Sequence, residues 1–342
     1  MDPTVIAVDL AKSVFQVVVS RRPGKVSESH RLSRSKFLAF FGPRQPALVL
    51  MEACGTAHYW ARQLRALGHR VLLLPPHHVR AYVRRNKTDF ADPKALLEAH
   101  RHEQIHAVPA KSVAQQTLTA LHCLRSTWVS CRTARLNLVR GILRELGFPI
   151  PVGAEQVVPR AWSLLEDPAA DLPMPLRQPL ANACLEIRDC EARIGAVDKQ
   201  LKALAAELPI AKRLVSIPGA GLITATALVG FVGGVHRFPT SRHFASSLGL
   251  APREHSSGLR RHLGRISKHG DTYLRMLLIT GARAALIAAS KRPPDRLRIW
   301  ALHVEMLRGH NRAAIALANK LARIVWAVWR TESSFESRPL AA

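Results

Sequence analysis

A change of pattern near residue 110 constrains the fold more than any other feature of this sequence. Before it, short apolar segments alternate with helical ones, and the β-branched segments Thr4–Leu10 and Ser13–Ser20 are close enough to form a hairpin. Further buried strands are predicted at Ala47–Met51 and Arg70–Leu74. A hairpin followed by alternating helices and strands predicts an α/β domain over residues 1–108.

The remainder of the chain is predicted to be mostly helical. Ser112–Leu146 lacks strand signals, and Asn182–Leu208 has apolar residues at helical spacing. Gly147–Pro179 between them is rich in prolines and acids, and is predicted as a connection or irregular segment. The pair predicts a helical hairpin, or antiparallel coiled coil, over 109–208, with a compact bundle as the alternative. Residues 209–342 then form a mostly helical third domain.

The third domain begins with a glycine-rich turn, Ile217–Gly221, that precedes an apolar helix. This pattern is typical of a helix-hairpin-helix, whose backbone N–H groups bind phosphate at a helix N-terminus. Gly219 and Gly221 are therefore candidate phosphate contacts. The alternative is an ordinary turn with no ligand.

The charge balance indicates a polyanionic partner. Fifty Lys and Arg residues against 24 Asp and Glu give a net charge of +26, which suits nucleic acid because neutralised phosphates release counterions. Aromatic residues make up 6% of the chain, so base stacking on a single strand is not the main predicted device. A basic binding protein without enzymatic chemistry remains an alternative.

Other features favour a cytoplasmic, nucleoid-associated protein. The five cysteines form no CxxC pair, which argues against a disulfide framework or a zinc knuckle. Met1-Asp2-Pro3 does not begin a signal-peptide pattern. No uncharged run approaches the roughly 20 residues of a membrane helix, so no membrane partner is expected.

Four acids stand at positions that suggest a metal site. Asp9 and Glu52 end predicted strands, while Asp89 and Asp92 are three residues apart at the start of a predicted helix. Four converging carboxylates could hold one or two hard cations around a phosphoryl group. Each acid also has a simpler explanation, since Asp9 suits a turn and Asp92 a helix N-cap before Pro93.

The motifs around these acids resemble those of a known family, the DEDD-type insertion-sequence transposases. This is the insertion sequence one-hundred-and-ten family of bridge-RNA-guided recombinases. The matching segments, in chain order, are Val8–Lys12, Met51–Thr56, Lys87–Asp92, Ser216–Gly219, Leu248–Arg253, Ser256–Gly258, Ile266–Asp271 and Leu274–Arg275. The resemblance covers nearly the whole chain, with Pro93 as one departure from the family pattern.

The resemblance implies a fold and a chemistry. It implies a RuvC-like, RNase-H-like first domain in which Asp9, Glu52, Asp89 and Asp92 hold Mg²⁺ or Mn²⁺. It implies that Ser257 attacks a DNA phosphate and holds the cut end covalently. It further implies donor and target double-stranded DNA, a guide RNA, and a dimer or tetramer in which acids of one protomer meet the serine of another.

Basic residues near these motifs are predicted to contact nucleic acid. The arginines on either side of Ser257 could neutralise a phosphorane-like transition state. With the glycines of the turn, the predicted contacts are Lys12, Lys87, Gly219, Gly221, Arg253, Arg260, Arg261, Arg265 and Lys268.

Two other functions remain open from the residues alone. A metal-dependent junction nuclease would use the four acids with water and would not need Ser257. A non-enzymatic nucleic-acid binder would need neither the acids nor the serine. The presence of both in one chain favours the recombinase.

Overall fold

The chain forms two structural units. The computed structural model describes residues 4–23, 25–83, 91–103, 105–291, 293 and 295–337. The first unit runs to Gln116 and adds Val232–His243, whereas the second comprises Thr117–Phe231 and the chain from Phe244 onwards. The predicted helical segment and most of the predicted third domain therefore share one unit.

Five strands of the first unit form one mixed sheet in the order β3-β2-β1-β4-β5. They are β1 Val5–Leu10, β2 Val14–Ser20, β3 Glu28–Ser33, β4 Leu48–Glu52 and β5 Arg70–Leu74. The strands β1, β2 and β3 are antiparallel neighbours, which confirms the predicted hairpin, and β4 and β5 continue parallel to β1.

Among the described residues, four α-helices accompany this sheet: α1 Phe37–Phe41, α2 Ala57–Ala66, α3 Pro76–Val79 and α4 Ala91–His100. On one face, the rings of Phe15, Phe37 and Trp60 pack edge to face with centroids 4.8–5.3 Å apart. On the other face, α4 covers the sheet through small and aliphatic side chains: Ala7, Leu50, Leu74, Ala95, Leu96 and Ala99. Burial of each large apolar side chain contributes about 1.5–3 kcal/mol.

The start of α4 corrects one prediction. The helix begins at Ala91, so Asp92 lies inside the first turn and is not the N-cap. Its carboxylate still suits that position, because the N-terminal turn carries the positive end of the helix dipole.

In the remaining part of the chain that the structure describes, the regular elements are helices and one small hairpin. Its elements are α5 Val113–Glu145, α6 Val157–Glu166, α7 Met174–Glu207, α8 Pro209–Val215, α9 Leu222–Val232, α10 Ser241–Ser247, β6 Pro252–Glu254, β7 Leu263–Ile266, α11 Thr272–Ala289, α12 Arg296–Arg308 and α13 His310–Thr331.

The helices α5 and α7 form the predicted antiparallel hairpin. Arg125 pairs with Asp198 at 2.6 Å, and ten residues later Arg135 pairs with Glu186. Residue numbers rise on α5 as they fall on α7, which is the signature of antiparallel helices side by side.

The prediction of an irregular Gly147–Pro179 connection was wrong. Helix α6 lies within it, and α7 begins at Met174 and contains Pro179. Apolar residues on α6 join those of α5 and α7 in one core: Leu136, Val139, Leu143, Val157, Val158, Ala161, Leu164, Leu180, Cys184 and Ile187. This packing outweighs the hydrogen bond that Pro179 removes from α7.

One described helix, α11, is long and apolar enough to span a membrane by length and composition. It carries Arg275 and Arg283 and packs against α12 and α13. Arg275 is buried and donates to the carbonyl of Leu248 at 3.1 Å, so one face of α11 packs within the second unit.

Candidate active site and nucleic-acid interface

The carboxyl ends of β1 and β4 bring two acids side by side. Val8 pairs with Met51 in the parallel register, so Asp9 and Glu52 stand one residue further along neighbouring strands. The residues two positions earlier on each strand pack against α4. Since side chains alternate along a strand, Asp9 and Glu52 also face α4.

Asp92 approaches the same region from the helix. The buried residues of α4 are Ala95, Leu96 and Ala99, which lie three, four and seven positions after Asp92. Residues at this spacing share one helix face. Asp92 is therefore on the face that packs against the sheet, at the end of α4 where the chain enters it.

The pKa of Glu52 records this crowding of acids. It is raised above its ordinary value, first by burial and then by the negative charges of Asp9 and Asp92. The pKa of the neighbouring Cys54 thiol is raised by burial and by the charges of Glu52 and Asp9. A divalent cation would relieve the charge repulsion that adds to the effect of burial in both shifts.

The described acids fit a hard cation in donor chemistry and in charge. Carboxylate oxygens are the ligands that Mg²⁺ prefers in proteins. Here the negative charges of Asp9 and Asp92 both act on the carboxylate of Glu52. Within the described part of the chain, no three His, Cys, Asp or Glu side chains form a complete ligand group. Asp89 and Lys87 lie outside the described residues, so the four-acid site remains a prediction.

Two further side chains lie near Asp9. Lys12 is exposed in the connection between β1 and β2. Gln16 is the direct partner of Asp9 on β2 and is 6% exposed. Gln16 was not among the sequence candidates, although a lone amide within the apolar segment Ser13–Ser20 was a usable signal.

Ser257 stands near the tip of the β6–β7 hairpin in the second unit. The backbones of Ser257 and Arg260 exchange hydrogen bonds of 3.2 Å in both directions, which closes a two-residue turn. Gly258, with φ +55°, occupies the first turn position, where hairpins of this kind favour glycine. Every residue from 252 to 265 is exposed.

The two adjacent serines are in different environments. The Ser256 hydroxyl donates to Glu254 Oε1 at 2.7 Å and accepts from the backbone N–H of His262 at 3.1 Å. The Ser257 hydroxyl makes no hydrogen bond to any described residue. Ser256 thus stabilises the hairpin, while Ser257 is available to a substrate.

The four arginines of the hairpin also fall into two groups. Arg261 pairs with Glu254 at 3.1 Å, and Arg253 donates to the carbonyl of Ser267 at 3.2 Å. Arg260 and Arg265 form no ion pair with the described residues, which leaves their guanidinium groups open to phosphate. Lys268, at the base of the hairpin, is exposed and has φ +57°.

The base of the hairpin is held tightly by the motif residues. A Cβ on Gly270 would lie 1.9 Å from the carbonyl oxygen of Ser247, so only glycine fits there. Asp271 caps α11 by accepting the Leu274 N–H at 2.8 Å. The hairpin therefore has a fixed base and an exposed tip.

The glycine-rich turn joins α8 to α9. A Cβ on Gly219 would lie 2.4 Å from the carbonyl oxygen of Gly281 on α11, whereas a Cβ on Gly221 would meet nothing within 4 Å. Packing alone explains Gly219, and the helix-hairpin-helix interpretation stays a prediction. The turn lines a cavity of about 540 Å³.

Comparisons with known proteins agree with the division of these motifs along the chain. A family model described as a transposase of the IS116/IS110/IS902 family matches residues 211–297, which include Ser257. A DEDD-type IS110 transposase model matches residues 6–148, which include Asp9, Glu52 and Asp92.

Three relatives match over nearly their whole length. A "Probable family 20 transposase" of Pseudomonas aeruginosa is 41% identical, over 96% of this chain and 98% of the relative. The "Transposase for insertion sequence element IS1111A" of Coxiella burnetii is 36% identical, over 98% and 92%. The "Transposase for insertion sequence element IS1328" of Yersinia enterocolitica is 36% identical, over 95% and 96%.

These matches show that the protein is a DNA transposase, an enzyme that recombines DNA. More specifically, the chain belongs to the IS110-family transposases of bacterial insertion sequences, which confirms the resemblance drawn from the motifs.

Proposed function

We propose that this transposase cuts and rejoins DNA with Ser257 as nucleophile and with Mg²⁺ or Mn²⁺ held by Asp9, Glu52, Asp89 and Asp92. The Ser257 oxygen attacks phosphorus, and the bond to one DNA oxygen breaks, which leaves a DNA hydroxyl. A second DNA hydroxyl then attacks the phosphoserine and releases the serine. The number of phosphodiester bonds is restored, so no external energy source is needed. The bound cations would supply charge neutralisation at the phosphate.

The contrast between Ser256 and Ser257 carries this proposal. A nucleophile must present a free hydroxyl to its substrate, and the Ser257 hydroxyl is exposed and not engaged by the described residues. The hydroxyl of Ser256 is held by Glu254 and the His262 backbone. Open guanidinium groups at Arg260 and Arg265 would offset the charge that develops on the phosphate.

The same two serines provide the test. Ser257→Ala should abolish strand exchange and the covalent protein–DNA adduct, which a denaturing gel shows as a slower band. Ser256→Ala is the matched control and should retain both activities, with a modest loss of stability. If Ser257→Ala still forms the adduct and Ser256→Ala does not, the assignment is reversed. If neither change matters and DNA is still cut, the metal-dependent nuclease is correct.

The proposal includes a guide RNA that pairs with donor and target DNA. It is supported by the family resemblance, and the net charge of +26 suits two polyanionic partners, RNA and DNA. Strand exchange with RNA transcribed from the DNA flanking the gene should stop after ribonuclease treatment. Exchange that survives complete removal of RNA would exclude the guide.

The proposal also includes a dimer or tetramer that assembles the active site between protomers. The resemblance supports this arrangement, and mixed variants can test it. Ser257→Ala and Asp9→Asn proteins should each be inactive alone and recover activity when mixed. No recovery at any ratio would mean that acids and serine act within one chain.

Finer structural assignments belong to the same proposal. We assign the first unit to the RNase-H-like, RuvC-like class, and the mixed sheet order β3-β2-β1-β4-β5 supports this. DNA and RNA contacts are proposed at the turn, at the hairpin arginines and at the lysines of the motifs. We place the protein in the cytoplasm with the nucleoid, where its DNA substrate lies.

A further inference from the structure

A polar row crosses the sheet face that lies under α4. Along the register, Asp9 pairs with Gln16 on β2, and Gln16 pairs with Arg31 on β3. The parallel register places Glu52 on the other side of Asp9. Partners on adjacent strands share one face, with Cβ atoms about 4.5–5.5 Å apart. Gln16 therefore lies directly beside the proposed cation site.

Gln16 carries a polar atom that the described residues do not satisfy. The side chain is 6% exposed, and its Oε1 atom has no hydrogen-bond partner within the described part of the chain. A buried acceptor without a partner costs stability, so its retention next to Asp9 requires an explanation. Among its neighbours on this face of β2, Val18 is apolar and fully buried.

A hydrogen-bond donor that arrives with a ligand would supply the missing partner. Mg²⁺ keeps several of its waters when carboxylates bind it, and each water needs acceptors for its hydrogens. We propose that Oε1 of Gln16 accepts a hydrogen bond from a water on the cation held by Asp9. Gln16 would then be a positioning residue for the cation. This inference rests on the proposed metal site.

Mn²⁺ titration of the full-length protein, followed by electron paramagnetic resonance, measures the effect without activity. Gln16→Met keeps the size of the side chain and removes the oxygen. It should weaken Mn²⁺ binding about tenfold or more, as loss of such outer partners does, while the metal-free melting temperature stays equal or rises. Gln16→Glu keeps an oxygen in place and should bind Mn²⁺ at least as tightly as the wild type.

Two further variants separate the outcomes. Val18→Ala is the packing control and should lower the melting temperature without changing Mn²⁺ affinity. Asp9→Asn should remove Mn²⁺ binding. If the Asp9→Asn protein binds Mn²⁺ as tightly as the wild type, both the proposed metal site and this inference are wrong. If Asp9→Asn removes binding but Gln16→Met binds as tightly as the wild type, the inference on Gln16 alone is wrong. Equal weakening by Gln16→Met and Gln16→Glu would also contradict it.

Discussion

The acid site and the serine hairpin are built in opposite ways. Asp9, Glu52 and Asp92 stand on a sheet and a helix whose packing fixes their positions, and the pKa of Glu52 is raised first by burial and then by the charges of Asp9 and Asp92. Ser257 stands on a hairpin whose residues 252–265 are all exposed. Packing of the sheet and α4 therefore preorganises the carboxylates. The serine instead lies at the exposed tip of a hairpin.

This difference has consequences for substitutions. At the acid site, the carboxylates are partly buried and their charges interact. Substitutions that change these charges should therefore alter both metal binding and stability. At the hairpin tip, changes should alter chemistry or DNA contact while leaving the fold intact.

Asp9→Asn should lower strand cleavage about a thousandfold or more, because a cation ligand supplies several kcal/mol of charge stabilisation at the phosphate. Metal-free stability should not fall, since one repelling charge is removed. Asp189→Asn, the same change at an exposed acid paired with Arg193 on α7, is the control and should cleave normally. Equal cleavage by both variants would remove the acid site from the mechanism.

Gly270→Ala should destabilise the protein by about 3 kcal/mol, since a Cβ would collide with backbone at a residue with φ +89°. Gly258→Ala, at the open tip with φ +55°, should cost about 1 kcal/mol. Thermal or denaturant unfolding measures both. If both variants lose the same free energy of unfolding, the base of the hairpin is no more tightly packed than its tip.

DNA binding should weaken steeply with salt, with a slope of log K against log salt of about −5 or steeper. Arg260→Ala should reduce the slope by about 1 if its guanidinium contacts one phosphate. Ser257→Ala should leave the slope unchanged and serves as the control. Fluorescence anisotropy with duplex DNA at several salt concentrations measures it, and a flat dependence would assign the net charge another role.

The smallest expected effect is a pH dependence of metal-free stability. Because the pKa of Glu52 is raised in the folded protein, its contribution is fully present below the unfolded-state pKa. It is lost as pH rises through the higher folded-state pKa. Glu52→Gln mimics the protonated form, so its melting temperature relative to wild type should increase as the pH rises above the unfolded-state pKa of about 4. A difference that does not vary with pH would contradict the raised pKa of Glu52.

Much of the first unit could be predicted from sequence. Apolar strands and the helices between them follow from period and length, and Asp9 and Glu52 stood out because charge at the end of an apolar strand is unusual. Gln16 was missed because its importance depends on strand register, which places it opposite Asp9. Helix α6 was missed because prolines in the same segment obscured its apolar stripe.

The second unit was less predictable in detail. The long helices α5 and α7 follow from composition and spacing, but the role of Gly219 depends on contact with Gly281 more than sixty residues later. The family resemblance already distinguishes Ser257 from Ser256, but the sequence does not show what the Ser256 hydroxyl does. In the structure this hydroxyl donates to Glu254 and accepts from the His262 N–H.

The central claim is that Ser257 becomes covalently bonded to DNA. Cleavage of the trapped adduct after arginine residues releases a peptide spanning residues 254–260, which contains both serines. Tandem mass spectrometry can then locate the serine that carries the phosphate-linked nucleotide. The account predicts modification of Ser257, with Ser256 unmodified. A phosphate-linked nucleotide on Ser256, or cut DNA with no protein-linked product, would contradict the assignment of Ser257 as the nucleophile.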